Sequence, residues 1–156
     1  MTRAVISIDG ECILFDGLLI PTCSSSVWAV VDVVYPDYDR EIYDCEVSNV
    51  DYKLVYSLSL KDELTIANVL RTRLTKAVQV HLDSKAQEKG YDNIFTACTY
   101  ANSTNATFQS EANTFVAWRD NVWAYCYQVM ADVQGQTRTI PTEVELISEL
   151  PQLVWS

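Results

Sequence analysis

A chain of 156 residues has room for one domain, or for two small modules sharing an interface. Its 49% apolar and 11% aromatic residues can supply a sizeable core, and only 4 Gly and 4 Pro exclude a collagen-like or low-complexity fibre. With 21 Asp and Glu against 11 Lys and Arg, the net charge is -10, which argues against direct nucleic-acid binding because that affinity comes from cations that displace condensed counterions; a basic protein surface would be attracted instead.

The first sixty residues read as strands. Arg3 to Ile8 meets Asp9-Gly10, and Glu11 to Phe15 meets Asp16-Gly17. Asp-Gly pairs favour positive φ and join short β-segments tightly. Leu18 to Ile20 follows, stopped by Pro21 and the Ser24 to Ser26 run. Val27 to Tyr35 is rich in β-branched and aromatic residues, which suit a pleated, packed surface. After the turn Pro36 to Asp39, Glu41 to Val47 alternates polar and apolar residues. So does Tyr52 to Leu60, with Leu54, Tyr56, Leu58 and Leu60 on one side. These segments predict a compact antiparallel sheet of four to six strands.

From Lys61 the period changes. Leu64, Ala67, Val69, Leu70, Leu74, Ala77, Val78 and Leu82 recur at helical spacing, and Gly90 is placed to stop the helix. Asp62 and Glu63 favour its first turn. Asp92 is a candidate cap for a short helix through Tyr100, and 101–107 is a polar loop, including the glycosylation-like Asn102 and Asn105 triplets. A long helix is predicted from about Phe108 to Gln134, ended by Gly135. Its stripe is Phe115, Trp118, Val122, Cys126, Val129 and Val133. Thr142 with Glu145 is a capping-box pattern for a last helix to about Leu150, followed by Pro151 and the apolar tail Leu153 to Trp155. The fold class is therefore α+β: an antiparallel β module over 1–60, then a bundle of three to four helices over 61–156, packed together. No apolar run reaches the roughly 20 residues of a membrane span, and the opening MTRAVISIDG lacks the long apolar stretch of a secretory signal. No membrane insertion is expected.

Candidate chemistry is thin. Cys12, Cys23, Cys45, Cys98 and Cys126 are odd in number and never spaced CxxC, so they read as buried free thiols in a reducing cytoplasm; a bond between Cys12 and Cys45 is a minor alternative. His81, next to Asp83, could be a general base, but no nucleophile stands in an activating context, so it reads as a solvent-facing helical histidine. The acidic turn of Asp37, Asp39 and Glu41 could offer oxygen ligands to calcium, yet it lacks EF-hand spacing and reads as a charged strand edge. There is no Gly-rich phosphate loop, HExxH or GxSxG. No catalytic residue, no cofactor and no metal site is predicted. The residues singled out for packing and interaction are Trp118, Arg119, Trp123, Tyr127, Leu153 and Trp155. Trp and Tyr concentrate at interface cores, and Arg119, four residues before Trp123, could lie over its ring.

Three stretches resemble a family of short bacteriophage proteins encoded among tail and tail-fibre genes. The first is Val5-Ile-Ser-Ile-Asp-Gly10 with Phe15-Asp-Gly17. The second is Val27-Trp-Ala-Val30 with Arg40-Glu-Ile-Tyr43, where Val31-Asp32 replace the family's Gln-Trp. The third runs through Val80-His-Leu-Asp83, Gly90-Tyr-Asp-Asn-Ile94, Ala97-Cys-Thr-Tyr-Ala101, Phe108-Gln-Ser-Glu-Ala112, Trp118-Arg-Asp120, Val122-Trp123 and Pro141-Thr142 to Leu150-Pro151. The resemblance implies a non-enzymatic protein made in the host cytoplasm and placed in the virion tail, in contact with other phage tail proteins in a multi-copy assembly. It is expected to be a structural subunit of fibre or baseplate. A tail-fibre assembly chaperone absent from the mature virion is one alternative, and a host-glycan-binding module using the Trp118 and Trp123 faces is another.

Overall fold

The computed structural model describes residues 3–7, 12–15, 28–32, 36–50 and 53–155, with side chains over 36–46 and 55–155. The predicted strand Leu18 to Ile20, both Asp-Gly turns, the Ser24 to Ser26 run and Cys23 lie outside the described residues. The chain divides into two compact units, Met1–Val69 and Leu70–Ser156. The change of period at residue 61 precedes that division, which falls inside the first helix. The architecture is α+β, with antiparallel strands first and helices after them.

Among the described residues there are five strands: β1 (Arg3–Ser7), β2 (Cys12–Phe15), β3 (Trp28–Asp32), β4 (Tyr43–Val50) and β5 (Lys53–Leu60). They form two sheets rather than the single sheet expected: β2-β1-β3 in one and β4-β5 in the other, every pair antiparallel. β4 and β5 are neighbours in the chain, so pairing with each other costs the least loop-closure entropy. Their register sets Tyr43 opposite Leu60, Asp44 opposite Ser59, Cys45 opposite Leu58 and Glu46 opposite Ser57. Because side chains alternate across a strand, the ribbon has one apolar and one polar face, as the alternation predicts. Its open end is clamped by Lys61, whose N–H donates to the Ile42 carbonyl at 2.9 Å and whose ammonium donates to the Arg40 carbonyl at 2.8 Å.

Helix α1 (Glu63–Gln87) begins on Asp62, whose carboxylate accepts from the Thr65 N–H at 2.9 Å and from its hydroxyl at 2.6 Å. It ends where Gly90 takes φ +88, a conformation that suits a residue without Cβ. Helix α2 (Ile94–Thr99) is capped by Asn93, which accepts from the Thr96 N–H, rather than by Asp92. A 3-10 turn over Tyr100–Asn102 leads to α3 (Ala106–Gln134), capped by Asn105. Helix α4 (Glu143–Glu149) carries the full capping box of Thr142 and Glu145.

The second unit has one continuous core. Val78, Leu82 and Ala86, spaced four apart on α1, meet Ile94 and Ala97 of α2, Phe115, Trp118, Val122 and Val129 of α3, and Leu146 and Leu150 at α4. Phe115, Leu82, Val78 and Val122 are the largest side chains fully removed from solvent. The periodicity identified the buried face of α3, whereas on α1 only the later part of the expected stripe, Val78 and Leu82, is buried, and Leu64 is 72% exposed. Among the described residues no helix is long and apolar enough to cross a membrane.

Candidate functional site

A set of specific contacts in the second unit lies where residues 151–155 fold back on α3. The Trp118 indole, 5% exposed, points its N–H at the Pro151 carbonyl, 2.7 Å away. That bond turns the segment after α4 across the helix. Leu153 then packs against the core, and Trp155 meets Phe115 edge-on with ring centroids 5.0 Å apart. The Lys89 ammonium sits 4.4 Å from the centre of the Trp155 ring, within cation–π range.

Further rings continue from Phe115. Tyr91 packs edge-on at 5.8 Å, Tyr100 lies 5.6 Å from Tyr91, and Phe108 lies 5.8 Å from Tyr100. Edge-to-face contacts set the positive rim of one ring against the negative face of the next. Tyr91 donates its hydroxyl to Glu111 at 2.9 Å, and Lys89 approaches the same carboxylate at 3.6 Å. Burial, and then the hydrogen bond to Glu111, push the Tyr91 phenol up to about 12.

The residues singled out from sequence thus have different surroundings. Trp118 and Leu153 join the packing of the core, and Trp123 packs against it partly buried. Trp155 is 39% exposed and holds the tail down; Tyr127 is 66% exposed and projects from α3. Arg119 does not lie over Trp123. Its guanidinium turns instead to Asp120, with Nε and Nη2 donating to one carboxylate oxygen at 3.0 and 2.7 Å. It also reaches the Cys98 thiol of α2. An adjacent carboxylate offers a charge-assisted bond that an aromatic face does not match. The sequence offered no spacing that points to Lys89, Glu111 or the Pro151 carbonyl, because these groups meet only through the docked tail.

His81 is half-buried rather than solvent-facing, its ring tilted against Trp118 with centroids 5.8 Å apart. Burial, and then the charge of Lys85, lower its pKa from the ordinary 6.5. Asp83 is not its partner. That carboxylate accepts from the Ile94 N–H at 3.0 Å and from the Gln79 amide at 3.0 Å, tying α1 to the start of α2. Cys45, Cys98 and Cys126 are free thiols, and burial raises the pKa of Cys98 and Cys126. Asp39 accepts from the Glu41 N–H, and among the described residues no three His, Cys, Asp or Glu side chains converge as metal ligands.

Beside the returning tail a groove of about 480 Å³ opens along α3. Ser110, Asn113, Thr114 and Asn121 supply its polar wall, and Pro151 and Val154 face them from the tail. Comparison with family models, with curated proteins and with solved structures finds no match to this chain.

Proposed function

We propose that the protein is a structural component of a bacteriophage tail, a fibre- or baseplate-associated subunit that works through contacts with other tail proteins. The observation that carries the reading is the apolar face of the β4–β5 ribbon. Tyr43, Leu58 and Leu60 share that face, and they are 36%, 44% and 63% exposed. A two-stranded ribbon is marginal on its own and gains stability when its apolar face is covered. Leu64, in the first turn of α1, is 72% exposed. The polar face bears Asp44 and Glu46, and with the net charge of -10 the partner that fits is apolar at its centre and basic at its rim. The sequence resemblance supplies the tail; the ribbon supplies a surface suited to contacts there.

The test is mass spectrometry of purified virions from a phage carrying the gene, alongside a phage encoding Leu58→Asp with Leu60→Asp. The reading expects the wild-type chain in stoichiometric amount and the variant depleted, although it folds. A chain present during infection but missing from finished particles would replace this reading with that of an assembly chaperone.

A further inference from the structure

The groove along α3 is lined by uncharged side chains, in an acidic chain with 11 Lys and Arg and 21 Asp and Glu. Its volume of about 480 Å³ lies within the roughly 300–1,000 Å³ range of small-ligand pockets. Asn113 and Asn121 lie eight residues apart on the helix, so they are separated by about 12 Å along its axis. Neither side-chain amide, nor the Ser110 hydroxyl, has a hydrogen-bond partner among the described residues. Between the two amides lie Ala117 and Trp118, and the tail contributes Pro151, Gln152, whose amide donates to the Leu150 carbonyl, and Val154, which is 75% exposed.

We propose that this groove binds a neutral carbohydrate about two sugar rings long. A pyranose alternates hydroxyls that both donate and accept with apolar C–H faces. A side-chain amide likewise offers a donor and an acceptor, and the Pro151, Val154 and Ala117 surfaces suit the C–H faces. The lack of lining charge selects against phosphorylated or otherwise anionic ligands, which the field of a -10 chain also repels. It gives cations no carboxylate to bind. The site differs from a platform on the Trp118 and Trp123 faces: Trp118 is 5% exposed and its N–H is already spent on Pro151, so the amides rather than the indole carry recognition. The inference does not rest on the tail assignment, since the groove would serve any protein exposed to glycans.

The experiment is an NMR titration of the isotope-labelled full chain with maltose, lactose and diacetylchitobiose, in parallel with trialanine. The expected result is saturable movement of the Asn113 and Asn121 side-chain amide signals by at least one sugar, with weak affinity in the millimolar range. Asn121→Asp, at an exposed position, should keep the wild-type spectrum elsewhere and weaken that sugar's binding about tenfold, the worth of one good hydrogen bond. Three results would overturn the proposal: no movement with any sugar, stronger movement with trialanine, or concentration-dependent broadening along α3 without ligand. The last two would make the groove a seat for a peptide or for a second copy.

Discussion

The Trp118 indole is both a core side chain and the peg that holds the tail. Its ring fills space between α1 and α3, where His81 leans on it at 5.8 Å, and its N–H satisfies the Pro151 carbonyl. Replacing it with Phe keeps an aromatic ring but removes the donor. A net hydrogen bond contributes about 0.5–1.5 kcal/mol, so Trp118→Phe should lower the urea-unfolding free energy by about that much, with extra loss from the smaller ring. The tail should also loosen at Trp155, seen as faster cleavage after 150 in limited proteolysis. An unchanged cleavage rate would mean that Trp155 on Phe115 is enough to hold it. His81 gives a second prediction at this scale. Burial makes the folded state bind a proton less readily than the unfolded chain, whose histidine titrates near 6.5. The resulting stability is complete above that value and is lost as pH falls through the depressed folded pKa. Urea midpoints measured from pH 8 downwards should fall more steeply for wild type than for His81→Gln once pH drops below about 6.5. Parallel curves would contradict it.

At the ends of elements, one residue type stands where another is better suited. Helix α3 is followed by Gly135 at φ -77, and the left-handed position is taken by Gln136 at φ 57. The Thr137 N–H closes back on the Asp132 carbonyl at 2.9 Å, so the reversal is complete despite the side chain. A left-handed conformation costs a residue with Cβ roughly 1–2 kcal/mol, part of which glycine returns as unfolded-state entropy. Gln136→Gly should therefore raise the unfolding free energy by about 0.5–1 kcal/mol. The reverse kind of change, Thr142→Ala, removes the acceptor for the Glu145 N–H and should cost about 0.5–2 kcal/mol. Such caps explain why the helices were legible in the sequence: periods of three and four locate a buried face, and Thr142 and Gly90 mark ends, whereas Asn105 read as part of a polar loop and caps α3. Sheet partners were not legible, because alternation fixes which side of a strand is apolar but not which neighbour it bonds. β3 pairs with β1 rather than with β2 for no reason written in its own residues. Likewise the burial of His81 depends on Trp118, 37 positions away on another helix, so a local reading placed the imidazole in solvent. The amides of Asn113 and Asn121 were visible only as ordinary polar residues until the tail made the second wall of a groove.

Across the whole molecule the acidic charge and the exposed apolar ribbon act against each other. At neutral pH the net charge of -10 keeps copies apart, even though Leu58 and Leu60 are exposed. Composition alone puts charge neutrality near pH 4.4, but several carboxylates in the folded chain hold on to their charge. Asp62 is lowered by its bonds from Thr65, Glu145 by the Thr142 backbone and hydroxyl, and Glu149 first by Arg138 and then by the Tyr125 hydroxyl. Each binds a proton more weakly folded than unfolded, so the native isoelectric point should lie below that of the denatured chain. Isoelectric focusing with and without urea should show this order, and coincident bands would refute it. Light scattering then connects charge to surface. Association should be least at pH 7 and rise towards the native isoelectric point, where repulsion vanishes and the ribbon faces can meet. Leu58→Asp with Leu60→Asp should suppress that rise by removing apolar area and by adding charge. If the variant with Leu58→Asn and Leu60→Asn suppresses it equally, the apolar face is responsible; if only the aspartates do, charge alone governs association and the ribbon is not its contact surface.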